Sequence, residues 1–229
     1  MAYKVKIKRP SKTEMCPVGH HVVRGHYRTC KSGTVTWVDA HLRKNRGRKT
    51  MYLQENLLYL YWNNKKKYPK LNAIKGYSGN HDLDPVIQFW LEYWGQKFKQ
   101  FPKIDPLLIK ALIAKESSFD SKADPKVSHS SAYGLMQIVD KARKSLTGKI
   151  KSSVTQDYIT VSRKDLEDPV VNIAVGTRWL VVKYFNVRAR KIKGDPVHNT
   201  VKAYYGSNKR EENEKYLSDV LKLYNSSRK

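Results

Sequence analysis

After residue 50, apolar positions recur at helical intervals, and three of the runs open on Asp-Pro. In MYLQENLLYLYWNN (51–64), Leu53, Leu57, Leu60 and Tyr61 share a helical face, and the lysines at 65–67 with Pro69 end the run. Asp84-Pro85 precedes VIQFWLEYWGQKFKQF, Asp105-Pro106 precedes LLIKALIAKES, and Asp168-Pro169 precedes VVNIAVGTRWLVVKYF. In each, the aspartate is placed to cap a helix and the proline to fill its first position. The first 50 residues have another texture. Val23-x-Gly25-His26-x-Arg28 recurs 15 residues later as Val38-x-Ala40-His41-x-Arg43, which predicts short strands flanking the turn at CKSGT. The pattern therefore predicts a mainly α (α+β) protein: a small basic, β-containing N-terminal module over 1–50 and a helical domain over 51–229.

Composition sharpens this in two ways. Forty per cent apolar residues and five tryptophans suffice for a packed core, so global disorder is excluded. The 45 Lys+Arg against 20 Asp+Glu give a formal charge of +25, which implies a polyanionic partner. Thirteen of the basic residues fall within 1–50, against only Glu14 and Asp39. The N-terminus MAYKVKIKRPSK has no apolar stretch after its lysines, so no signal peptide is expected, and no run is long enough for a membrane span. The two cysteines, Cys16 and Cys30, are too few for a disulfide scaffold. With His20 and His26 they form a Cys-x3-His…His-x3-Cys set of metal-binding residue types, but the spacing is not a familiar zinc pattern. A pair of free thiols or one disulfide is the favoured reading, and no metal or cofactor is expected.

Candidate chemistry sits at the end of the Asp105 helix. Leu108, Leu112 and Glu116 follow one another at intervals of four, so the glutamate extends an apolar stripe. Desolvation there disfavours the charged carboxylate, and a carboxyl group that holds its proton can deliver it to a glycosidic oxygen. A helix-end glutamate turned outward, or paired with Lys115 or Lys122, is the plainer alternative.

The neighbouring residues decide between them. Glu116-Ser117-Ser118-Phe119, Ser128 and Ala132-Tyr133-Gly134-Leu135-Met136-Gln137-Ile138 resemble the signature of the lytic transglycosylase family (soluble lytic transglycosylase-like) of the lysozyme superfamily. Three further blocks follow in the family's order: LEDPVVNIAVGTRWLVV, VKAYYGS and ENEKYLSDVLKLY, so the resemblance runs from about 104 to 224. It implies a lysozyme-like fold in which Glu116 is the single catalytic acid/base. It places Ser128, Met136 and Gln137 along a sugar cleft, Tyr204 near the acid, and Glu212 at a position that contacts substrate in some members. Three departures stand out. Residues are added around ADPKV, Ser131 takes the place of a glycine, and Tyr205 stands where the family usually has asparagine.

The resemblance further implies cleavage of the β-1,4 bond between N-acetylmuramic acid and N-acetylglucosamine. In the transglycosylase route one glutamate serves both steps and the product ends in 1,6-anhydromuramic acid. Asp140, close to where the related goose-type lysozymes carry a candidate carboxylate, would instead make the protein a muramidase; Asp120 and Asp124 look like turn residues. Peptidoglycan glycan strands are the expected partner. For residues 1–50 two readings stay open. One is docking on anionic wall polymers, a phage particle or a secretion machine, with action at the cell wall after virion-associated, phage-released or non-classical delivery. The other is nucleic-acid binding, with the helical domain inactive.

Overall fold

The computed structural model describes residues 5–45, 51–77, 80–123, 131–149 and 154–228. Residues 5–17 lie on the body of the protein and bury Val5, Met15 and Cys16. The chain then leaves as a two-stranded ribbon. Strand β1 (His20–Val23) pairs with β4 (His41–Lys44), and β2 (His26–Thr29) with β3 (Val35–Val38), both antiparallel. The repeated sequence pattern straddles the break between the two pairs. On one side the His26 Nδ1 donates to the Arg24 carbonyl at 3.0 Å, and on the other His41 Nδ1 donates to the Asp39 carbonyl at 2.9 Å. Gly25 is needed at this crossing, because a Cβ there would come within 2.5 Å of the Trp37 ring. Asn56 fixes the root of the ribbon, its amide donating to the carbonyls of Pro17 (2.9 Å) and His20 (3.0 Å).

The rest is helical, joined by short strands. Strand β5 (Met51–Tyr52) runs parallel to a later segment and takes the first residues expected of a helix, so α1 spans Gln54–Asn64. Then come α2 (Asp84–Lys97), α3 (Pro106–Ser117), the hairpin β6 (Ala132–Tyr133) and β7 (Ile138–Val139), α4 (Asp140–Leu146), and β8 (Tyr158–Ile159), the partner of β5. The chain finishes with α5 (Pro169–Ala189), α6 (Pro196–Tyr205) and α7 (Arg210–Ser226). This is the mainly α, lysozyme-like architecture with a small β element at the N-terminus.

Helix α5 is the axis, packed against α1, α2 and α6, while α3 lies between α2 and α7. Trp90 and Trp94 of α2 are fully buried, and the Trp94 indole donates to the Ala174 carbonyl of α5 at 3.1 Å. Burying one such side chain is worth roughly 1.5–3 kcal/mol, so apolar packing carries the fold.

Asp105 and Asp168 cap their helices as expected, accepting from the N–H of Leu107 and of Val170 and Val171. Asp84 does not. It sits inside α2, and its buried carboxylate pairs with the buried ammonium of Lys110 on α3 at 2.7 Å. Left in the interior alone, either charge would be far more costly than the pair, so the carboxylate is drawn away from capping. A fourth Asp-Pro start, Asp195-Pro196, opens α6. Among the described residues no helix is long and apolar enough to cross a membrane.

Candidate active site

Glu116 stands in the last turn of α3, beyond buried Leu108 and Leu112, and is itself half-buried. The helix stops abruptly after it. Ser118 and Phe119 both adopt positive φ (54° and 65°), which turns the chain and drives Phe119 into the core against Tyr77. Each such backbone costs a non-glycine residue about 1–2 kcal/mol. The surrounding packing holds the turn, and Glu116 is fixed at its edge.

The opposite wall is the β6–β7 hairpin. Its turn includes Gly134 (φ 69°) and Gln137 (φ 46°). A Cβ at Gly134 would come within 2.3 Å of the Asn172 amide nitrogen, so only glycine fits. Asn172, fully buried on α5, organises the turn. Its Oδ1 accepts from the Met136 N–H at 2.8 Å, and its Nδ2 donates to the carbonyls of Tyr133 (3.0 Å) and Leu166 (2.8 Å).

Between the walls lies a cleft of about 480 Å³. Glu116, Gln137, Tyr204, Tyr205, Tyr216 and Trp179 line it with Lys115 and the apolar residues Ala132, Ile138, Val139 and Ala142. Among the described lining residues Glu116 is the one carboxylate. The Tyr216 hydroxyl donates to Glu116 Oε1, and Tyr205 stacks on the Tyr216 ring at 4.5 Å. The Tyr204 hydroxyl donates to the Met136 carbonyl at 2.6 Å. Burial, and then the nearby Glu116, hold the phenols of Tyr204 and Tyr216 well above the ordinary tyrosine range, so both remain donors at any working pH.

Glu116, Gln137 and Tyr204 are thus brought together, whereas other expected residues are not. Met136 has no exposed surface; its thioether packs where a Cβ on Gly176 would come within 2.3 Å, so it is core, and only its backbone bonds to Tyr204. Glu212 does not line the cleft. It accepts from the Ser207 hydroxyl at 2.5 Å and pairs with Lys209 at 3.0 Å, pinning the α6–α7 connection, and these bonds lower its pKa. Asp140 is held by the guanidinium groups of Arg163 and Arg143, which bring its pKa down to about 2 despite partial burial. Asp120 accepts from the Lys122 N–H at 2.9 Å, as a turn residue does. Ser128 and Asp124 lie outside the described residues.

The Cys16, His20, His26 and Cys30 set is also not assembled. Cys16 and His20 sit at the root of the ribbon, while Cys30 follows β2 at the far turn. Extended strands separate the ligand types instead of converging them. Both cysteines are free; the buried Cys16 thiol bonds to the His20 carbonyl at 3.3 Å, and burial pushes its pKa up to about 11. Among the described residues no group of three or more His, Cys, Asp or Glu could hold a metal ion.

Tyr216, Tyr205, Trp179 and Asn172 escaped the sequence reading as site residues. Each lies in a segment that carried the resemblance, and the aromatic residues were legible as pattern but not as lining.

No curated protein matches the chain. The family described as Transglycosylase SLT domain matches residues 92–223, from within α2 to near the end of α7, and takes in every residue named above as lining the cleft. With that match over more than half of its length, the chain belongs to the SLT transglycosylases, peptidoglycan lytic transglycosylases of the lysozyme-like superfamily.

Proposed function

We propose that the protein cleaves the β-1,4 bond between N-acetylmuramic acid and N-acetylglucosamine by a one-carboxylate route, with Glu116 as acid and then base. The observation that carries this is Glu116 itself: one carboxylate on the described cleft wall, held by the Tyr216 hydroxyl at Oε1. In the first step Glu116 gives its proton to the glycosidic oxygen as the bond to the muramyl C1 breaks. The substrate's acetamido oxygen supports the positive centre. In the second step the Glu116 carboxylate takes the proton of the muramyl 6-hydroxyl, whose oxygen closes on C1 as a 1,6-anhydro ring. No water enters, and Glu116 regains its proton.

Tyr216 positions the carboxylate, Tyr204 ties the hairpin to α6, and Gln137 lines the wall opposite. The muramidase alternative would assign a base role to Asp140. Two guanidinium groups already occupy that carboxylate, and its lowered pKa makes it a poor base. Glu116→Gln keeps the shape of the side chain and removes the proton. It should abolish wall lysis, at least a thousandfold by comparison with typical acid/base losses, with the circular dichroism spectrum unchanged. Lysis at the wild-type rate would remove Glu116 from the mechanism.

We further propose that residues 1–50 form a docking module beside the catalytic domain at 51–229, with anionic wall polymers as the partner. Support comes from the ribbon, which carries Arg24, Arg28, Lys31, Arg43 and Lys44 along its length and an exposed pair, Tyr27 and Trp37, with ring centroids 4.9 Å apart. The one acid of the ribbon, Asp39, accepts from the Trp37 indole at 2.8 Å.

A further inference from the structure

At the edge of the cleft stands a lysine whose charge finds no carboxylate among the described residues. Lys183 lies one helical turn beyond Trp179 on α5, and its ammonium stands 4.9 Å from the centre of the Trp179 ring. It also reaches the start of the α6–α7 connection, since a Cβ on Gly206 would lie 3.8 Å from Nζ. Trp179 and Tyr205, the neighbour of Gly206, both line the cleft, so the ammonium stands at the cleft's edge. The surroundings are cationic, with Lys141 from α4 and Arg190 just past α5 nearest in charge. Among the described residues, no carboxylate pairs with Lys183, Lys141 or Arg190 within 4.0 Å. Lys115, which does line the cleft, is committed to Asp219 at 2.6 Å.

Resting on the glycan-cleaving reading above, we propose that Lys183, with Trp179 beneath it, is a carboxylate-binding subsite that selects glycan strands carrying free carboxylates next to the scissile bond. Lys183 is half-buried. Its pKa is lowered first by that burial and then by the repulsion of Lys141 and Arg190. A cation withdrawn from water among like charges is a cost to the empty protein, and an arriving anion relieves it. The indole face below the ammonium adds a cation–π contact that keeps the side chain extended over the cleft. Trp179 also offers an apolar face for a sugar ring, so one substrate unit could stack there while its acidic substituent meets Nζ. Wall glycans carry carboxylates from two sources: the stem peptides, and the lactyl group of muramic acid where the peptide has been removed. Both present the same anion to the subsite.

Steady-state cleavage of soluble strands tests this. Peptide-bearing strands, peptide-free strands, and each of these with its carboxylates converted to amides are compared. The wild-type kcat/KM should favour the carboxylate form about tenfold over its amide, mainly through KM, as expected for a partly desolvated ion pair. In Lys183→Met the ratio should fall to about one, and in Lys183→Arg most of it should remain. Lys99→Met, at an exposed lysine that makes no ion pair among the described residues, serves as the matched loss of charge and should keep the wild-type ratio. A preference confined to peptide-bearing strands assigns the anion to the stem, and one confined to peptide-free strands assigns it to the lactyl group. A wild-type ratio near one, or an undiminished ratio in Lys183→Met, overturns the subsite while leaving glycan cleavage standing. Failure of the wild-type protein to cleave any strand would bring down the glycan reading and the subsite together.

Discussion

Tyr216, itself buried, donates its hydroxyl to Oε1 of the half-buried Glu116. A hydrogen bond to a carboxyl group in such a place orients it and steadies the charge it acquires after giving up its proton. Removing the donor takes this hydrogen bond away while the ring's packing persists. Tyr216→Phe should therefore lower kcat about 10–100-fold, from the roughly 1.5–3 kcal/mol of a charge-assisted bond, with KM changed less than threefold. Steady-state kinetics on soluble glycan would show it; an unchanged kcat would deny Tyr216 a part. The place of Glu116 on the apolar face was legible from the intervals along α3, and the resemblance in the residues that follow singled it out as the acid. The tyrosine that completes it lies 100 residues further on, and periodicity says nothing about contacts across such a gap. Nor does a motif position separate a side chain that lines a cleft from one that packs beside it: the resemblance placed Met136 along the cleft, and its side chain lies buried behind the wall.

At the scale of elements, α5 builds one side of the site along a single face. Asn172, Gly176, Trp179 and Lys183 follow at intervals of four, three and four. In turn they tie the hairpin, admit Met136, line the cleft and meet its cationic edge. The sequence announced this helix by its Asp-Pro start and apolar run, but burial on nearly every side hid which face mattered. The same limit applies to the helix starts. Asp105 caps with one oxygen while its other accepts from the Tyr224 hydroxyl at 2.7 Å, and Asp168 caps its own helix, whereas Lys110 claims Asp84 from another helix. Asn172 makes three hydrogen bonds in a dry interior, so Asn172→Ala leaves a backbone N–H and two carbonyls unmatched. It should destabilise the protein by about 2–4 kcal/mol, seen as a lowered urea midpoint with the m-value unchanged, and should slow cleavage through the displaced hairpin. A stability within about 0.5 kcal/mol of the wild type, the usual scatter of surface changes, would contradict this role.

For the whole molecule, the formal charge of +25 and the basic ribbon bear on the proposed docking to anionic wall polymer. The SLT match begins at residue 92, so the ribbon and α1 lie before it, yet Val5 and Met15 join the same core as the catalytic helices. An exposed cationic ribbon binds through screened charge, so retention on anionic wall polymer should fall at least tenfold between about 50 and 200 mM salt. Replacing Arg24, Arg28, Lys31, Arg43 and Lys44 with glutamine should flatten that dependence in a sedimentation assay. An unaltered salt profile in that variant would place docking elsewhere. The central claim is that one glutamate breaks the glycan and closes the ring without water. Mass spectrometry of the muropeptides released from purified wall tests it most directly. The account predicts muramyl ends lighter than their hydrated forms by one water, ~18 mass units, as the ring closure requires in place of the hydrolytic course. Hydrated, reducing muramyl ends as the main product would contradict it.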